Sequence, residues 1–205
     1  MIHVLKYELK EPAHDGNVKP LSIEFRDGVN VIVGENGCGK STVLKYMSDR
    51  QAAKSDCVND KLTIAEDSAG VRLMYFDTEK HNPRMTGPRS PASDDVIRHL
   101  MVKQQSHGET LFPILNHIGK MENTVVFIDE PESGISLANQ KALWHAMSSA
   151  AEKGCQVIIA THSYLFMQWA GDVFDMAAGK WMPFAQYADS ALSAKPARKK
   201  PRKTK

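Results

Sequence analysis

The chain has 205 residues, enough for one domain with a sizeable core, and its 42% hydrophobic and 24% charged content is that of an ordinary globular protein rather than a fibrous or disordered one. No run approaches the roughly 20 apolar residues of a membrane-spanning helix, so no membrane segment is expected. The net charge of +2 hides a division: Lys195–Lys205 holds seven of the 26 Lys and Arg residues, leaving 19 basic against 24 acidic residues elsewhere, which argues against a broad nucleic-acid-binding face on the body.

From the start of the chain, MIHVLKYELK scatters its charges and has no apolar core of signal-peptide length, so a cytoplasmic location is expected. Cys38, Cys57 and Cys155 form no C-x-x-C pair, which excludes a disulfide framework or zinc site of ordinary pattern. Ile2 to Leu9 and Leu21 to Phe25 alternate as strands, with Glu11 to Pro20 as a loop between them. They predict an antiparallel layer ahead of Asp27-Gly28, a tight-turn signal. Val29 to Val33 then reads as a buried strand.

The next residues are Gly34-Glu35-Asn36-Gly37-Cys38-Gly39-Lys40-Ser41-Thr42, matching the P-loop pattern G-x-x-x-x-G-K-[ST] between a strand and a helix. Glycines let the backbone curl until its N–H groups face phosphate oxygens, and the following helix adds its positive end. Lys40 is expected to reach the β- and γ-phosphates and Ser41 to ligate Mg²⁺. Cys38 is read as a small loop residue rather than a redox-sensing thiol. A helix over Lys40 to Met47 follows, then a short strand at Lys61 to Ala65 and a better one at Val71 to Phe76, ending in Asp77-Thr78-Glu79.

Residues 80–93 form a variable loop containing Pro83, Gly87, Pro88 and Pro91, and Arg84 and Arg89 lie within it. Ser93 or Asp94 caps a helix whose apolar face is Val96, Ile97, Leu100 and Met101, and Leu111 to Ile118 is a second helical stretch. Val125 to Ile128 is a buried strand delivering Asp129 and Glu130, the Walker B pattern. A carboxylate at Asp129 suits the Mg²⁺ ion, and one at Glu130 can polarise an attacking water. Leu137 to Ala151 is helical, Val157 to Ala160 is another buried strand, and His162 stands just past its carboxyl end, where such sheets bind ligands. Asp172 to Met176 and Trp181 to Phe184 read as closing edge strands. Strands alternating with helices predict an α/β sandwich with a mostly parallel central sheet and an N-terminal antiparallel β layer. The expected division is residues 1–187 as one domain and 188–205 as a basic tail without regular structure.

GENGCGKST, QSHGE, VVFIDEPESGIS and IIATHS follow one another in the order and spacing of an ATP-binding-cassette (ABC) ATPase head. The chain resembles the small ABC-like ATPases of the AAA group, whose signature reads S-H-G-E instead of L-S-G-G-Q; the resemblance covers Ile2 to Trp181. It implies a P-loop nucleoside-triphosphatase fold, ATP and Mg²⁺ as cofactors, and ATP hydrolysis. It implies that Ser106 and Gly108, in the signature region 94–118, contact the γ-phosphate of ATP held by an opposite subunit. Pro131 to Ile135 then correspond to the loop that crosses a dimer interface, and His162 to the switch histidine. Glu79 stands where the family places a glutamine and is a candidate metal or water contact. The implied mechanism has two heads closing on two ATP molecules, with Lys40, Glu130 and His162 as the catalytic set.

Only 64 residues separate Ser41 from Ser106, which leaves no room for the long coiled coils of chromosome-organising relatives. The reading is therefore a homodimeric ATPase switch acting on a protein or nucleic-acid partner. The alternatives are an ATP-binding subunit of a transporter and a nucleotide-sensing dimer with little hydrolysis. The basic tail, 195–205, is either a solvated extension, a tether to DNA or RNA phosphates, or a targeting-like basic cluster.

Overall fold

The computed structural model describes residues 5–9, 21–48, 60–64, 72–77, 118 and 120–193. A three-stranded antiparallel sheet has β1 (Leu5–Leu9) between β2 (Leu21–Glu24) and β4 (Asp60–Ile64). The registers are Tyr7 opposite Ile23 on one side and Tyr7 opposite Leu62 on the other. The expected N-terminal layer is thus present, with β4 as a third strand reached from beyond the P-loop.

The second sheet has six strands. In spatial order they are β5 (Arg72–Asp77), β6 (Thr124–Asp129), β7 (Gln156–Ala160), β3 (Gly28–Val33), β8 (Asp172–Asp175) and β9 (Lys180–Pro183). The first five run parallel, and β9 returns antiparallel on β8. β6 and β7 are buried along their whole length, which is why both read as unbroken apolar runs rather than alternating ones.

Alternation still decides which neighbour each side chain meets. Ile32, Val125, Phe127, Ile158 and Phe174 pack on one face with Val43, Leu44 and Met47 of α1 (Lys40–Ser48) and with Leu21, Ile23 and Phe25. Val31, Val33, Val126, Ile128, Val157 and Ile159 face the other way, toward Leu143, Met147 and Ala150 of α2 (Leu137–Glu152) and Phe166 and Met167 of α3 (Tyr164–Ala170). Each such fully buried aliphatic or aromatic side chain contributes about 1.5–3 kcal/mol, so the two faces of the sheet hold the domain together.

Two elements depart from the sequence expectation. α3 is one, because YLFMQWA is nearly all apolar over seven residues and shows no amphipathic period. The other is α4 (Phe184–Ser193): the boundary expected after residue 187 falls inside it, and the start of the segment expected to lack structure is helical. α4 buries none of its residues fully, and three contacts anchor it. The Phe184 N–H donates to Gly171 O at 2.7 Å, the Phe184 ring meets Tyr164 edge-on at 4.9 Å, and Tyr187 packs on the core. Burial pushes the Tyr187 hydroxyl above its ordinary range, with Asp175, Cys38 and Glu35 adding to the effect. The variable loop 80–93, the helix expected from residue 94 and the tail 195–205 lie outside the described residues.

Candidate active site

The carboxyl ends of β3, β7 and β6 lie side by side, with β7 in the middle. Every side chain singled out at these ends follows from what its strand does on leaving the sheet.

β3 ends at Gly34, which has φ +151°, and a Cβ there would lie 2.7 Å from Cys38 Sγ and 3.2 Å from Met176 Cβ. A larger residue there requires Cys38 or Met176 to shift, and the positive φ strains it besides. Gly37 (φ +81°) and Gly39 (φ +97°) take left-handed conformations that let the chain turn back. Cys38 N–H closes the turn on Glu35 O at 3.2 Å, and Val43 N–H on Gly39 O at 2.9 Å begins α1. Glu35, Asn36 and Gly37 form an exposed tip, while Ser41 and Thr42 occupy the first turn of the helix.

Lys40 is 5% exposed, so its ammonium must be satisfied internally. It donates to Gly34 O at 3.0 Å and Glu35 O at 3.2 Å, and its Nζ lies 2.9 Å from His162 Nε2. An ammonium can only donate, so Nε2 of this ring is the acceptor in this contact. Ser41 Oγ donates to Asp129 Oδ1 at 3.0 Å, and Tyr75 OH donates to Asp129 Oδ2 at 3.1 Å. Asp129 shares a sheet face with Val125 and Phe127, the face that α1 covers, which is how it comes to meet Ser41.

Glu130, the first residue past β6, has φ +47°, an unfavourable conformation for a residue with a Cβ. Its N–H donates to Ala160 O and its carbonyl accepts from Ser133 N–H, both at 2.9 Å, so strand pairing and a turn hold the strained residue from either side. Its Oε1 stands 3.8 Å from His162 Nε2, facing the same space.

The hydroxyl and carboxylate oxygens of Ser41 and Asp129 suit a hard cation, and Mg²⁺ in particular, which binds few protein ligands and completes its shell with water and phosphate. Among the described residues there is no group of three or more His, Cys, Asp or Glu that would instead form a protein cage for a metal. Glu79, Ser106 and Gly108 lie outside the described residues.

Several participants escaped sequence reasoning. Tyr75 donates to Asp129 Oδ2; it pairs with Phe127 and so shares a face with Asp129, a relation visible only once β5 and β6 are known to be neighbours. Glu132 accepts from Thr161 Oγ1 at 2.7 Å and from the His162 N–H. Ser163 Oγ donates to Gln140 Oε1 at 2.7 Å. The one local signal was the third acid in Asp129-Glu130-Pro131-Glu132.

This sheet order, with its phosphate loop and acid-ended strand, is the fold of an ABC-type ATPase head. Solved structures of that class superimpose on nearly the whole chain. cbiO1 from Clostridium perfringens, part of the ABC transporter complex cbiONQ, gives a TM-score of 0.56 at 16% identity, covering 94% of this chain and 93% of that one. The ADP conformation of an ATP-binding cassette of an ABC transporter gives 0.55 at 15%, covering 89% and 90%. In sequence, residues 106–168 match the family described as an AAA domain, putative AbiEii toxin of a type IV toxin–antitoxin system, and residues 14–48 match a second AAA domain. The chain is 22% identical to a putative ABC transporter ATP-binding protein of Sulfurisphaera tokodaii, over 87% of this chain and 44% of the relative. It is 24% identical to the vitamin B12 import ATP-binding protein BtuD of Vibrio atlanticus, over 76% and 77%. It is 24% identical to the DNA replication and repair protein RecF of Francisella tularensis, over 69% and 35%. The chain thus spans less than half the length of the first and third of these relatives.

Proposed function

We propose that this chain is an ATP-hydrolysing head that uses ATP–Mg²⁺ to close a homodimer and so switch a protein or nucleic-acid partner. The observation that carries the reading is the meeting of Lys40, Ser41, Asp129, Glu130 and His162 from three neighbouring strand ends. Binding ATP exchanges the internal bonds of Lys40 for bonds to β- and γ-phosphate oxygens, while the P-loop amides and the start of α1 receive the remaining phosphate charge. Ser41 and Asp129 would hold the cation, which would supply neutralisation of charge on the phosphates. Glu130 takes a proton from water as that water's oxygen bonds to the γ-phosphorus. The bond to the β-phosphate oxygen breaks, and ADP and inorganic phosphate leave. His162, released from Lys40, turns its Nε2 from acceptor to donor and donates to a γ-phosphate oxygen. Ser106 and Gly108 of the second copy complete the site.

A transporter subunit is the second reading, favoured by the names of two relatives and both structural neighbours. Among the described residues no helix is long and apolar enough to cross a membrane.

The test is ATP turnover together with native mass for wild type and Glu130→Gln. Turnover is expected to fall about a hundredfold or more in the variant, with ATP now trapping a species of twice the mass. A wild type that neither turns over ATP nor changes mass would overturn the reading. Stimulation by DNA, lost on truncation before Lys195, selects the nucleic-acid branch and the tail as its contact.

A further inference from the structure

The loop after Glu130 and the loop carrying His162 come from different strands, yet one side chain joins them. Glu132 places one carboxylate oxygen on the Thr161 hydroxyl, at 2.7 Å, and the other on the main-chain N–H of His162. Thr161 is fully buried, and its Oγ1 in turn accepts from Ser163 N–H at 2.9 Å. Ser163 Oγ passes the chain on to Gln140 of α2. Both bonds end on a carboxylate; the one from Thr161 is part-buried and the one from the His162 N–H is exposed, so the buried Thr161 hydroxyl is the firmer hold.

What the carboxylate grips determines what it controls. Only Thr161, His162 and Ser163 separate β7 from α3, so fixing one hydroxyl and one N–H in that link fixes the direction in which the imidazole leaves the backbone. On its own side, Glu132 lies two residues beyond Glu130, whose positive φ persists only if its surroundings hold it. The turn is closed by Ser133 N–H on Glu130 O and by Ile135 N–H on Glu132 O at 3.3 Å. Releasing Glu132 removes its two bonds to the link after β7 and leaves the Glu130 N–H on Ala160 O to hold the turn there.

We infer that Glu132 is a positioning residue that sets Glu130 and His162 against each other and makes the exposed stretch Ser133–Gly134 move with the histidine. Its catalytic consequence rests on the roles proposed above for Glu130 and His162.

The experiment uses the full chain as wild type, Glu132→Ala, Glu132→Gln and Thr161→Val. It measures steady-state turnover of ATP–Mg²⁺, binding of a fluorescent ATP analogue, and the His162 ring signal by NMR, assigned by its disappearance in His162→Gln. Glutamine can still accept from the His162 N–H and donate to Thr161 Oγ1; alanine can do neither. Glu132→Ala is expected to lower kcat about tenfold or more, with KM and analogue affinity within about threefold of wild type, because displaced groups lose rate before binding. Glu132→Gln is expected to stay within about threefold on every measure, and the ring signal to move in the alanine variant alone. Thr161→Val, nearly isosteric, is expected to reproduce the kcat loss in smaller degree and decides the matter if the alanine variant fails to fold. Unchanged kcat in Glu132→Ala and Thr161→Val overturns the inference, as does affinity falling in step with kcat, or glutamine failing as badly as alanine. If wild type does not hydrolyse ATP, the proposed function fails. The ring signal then decides the positioning role alone, which a signal unmoved in Glu132→Ala would overturn.

Discussion

The two edges of the parallel sheet both contain buried polar groups, and they treat them differently. Near the amino-terminal edge, side chains bond to main chain: Asn30 Nδ2 donates to Arg26 O at 2.7 Å and Gly28 O at 3.3 Å, and its Oδ1 accepts from Arg26 N–H. Gln156 Nε2 donates to the same Arg26 carbonyl at 2.9 Å. At the carboxyl edge the bonds run largely from side chain to side chain: Lys40 with His162, Ser41 and Tyr75 with Asp129, Glu132 with Thr161. A side chain tied to main-chain groups cannot let go without disturbing the fold. A pair of side chains can exchange each other for phosphate or cation and lose no hydrogen bond. One edge is therefore closed structure, and the other is a set of bonds ready for replacement.

Substitutions at the two edges should separate these roles. Lys40→Ala is expected to weaken ATP binding about a hundredfold or more, the loss of two charge-assisted bonds of about 1.5–2 kcal/mol each, in a titration with a fluorescent analogue. Its melting temperature is expected to stay near that of wild type. Asn30→Ala should do the reverse, lowering stability to urea by about 2–3 kcal/mol while the folded fraction binds ATP as before. If Asn30→Ala changes affinity and Lys40→Ala changes stability, the distinction between the edges fails. Tyr75→Phe removes a single bond to Asp129, so the half-saturating Mg²⁺ concentration for turnover should rise about fivefold.

The smallest effect belongs to Cys155 at the closed edge. Burial pushes its thiol above the ordinary 9.0, outweighing the Thr124 main-chain contact that opposes it. Above pH 9.0 the unfolded chain releases a proton that the folded chain retains, so stability falls as pH rises toward the folded value. Cys155→Ala should flatten that decline in urea midpoints measured below and above pH 9.0.

The central strands and the P-loop were legible in the sequence for a physical reason. Strands buried on both faces must be continuously apolar, and a phosphate loop must carry its glycines, lysine and hydroxyl at fixed offsets. The antiparallel first layer was legible from the alternation of Leu21 to Phe25. What the sequence did not show was partnership at a distance. Tyr75 and Asp129 are 54 residues apart and Glu132 and Thr161 are 29 apart, and neither pair leaves a periodic trace. α4 was invisible for a related reason: its anchors, Tyr164 and Gly171, are supplied by another helix and its cap.

The left-handed backbone at Glu130 sets two demands on one position in opposition. Glycine or asparagine would occupy that conformation with less strain, while the proposed hydrolysis needs a carboxylate there to take the proton from water. Laboratory evolution for heat resistance alone would therefore tend to discard the carboxylate, and a thermally improved population should be enriched in members that bind ATP and do not turn it over.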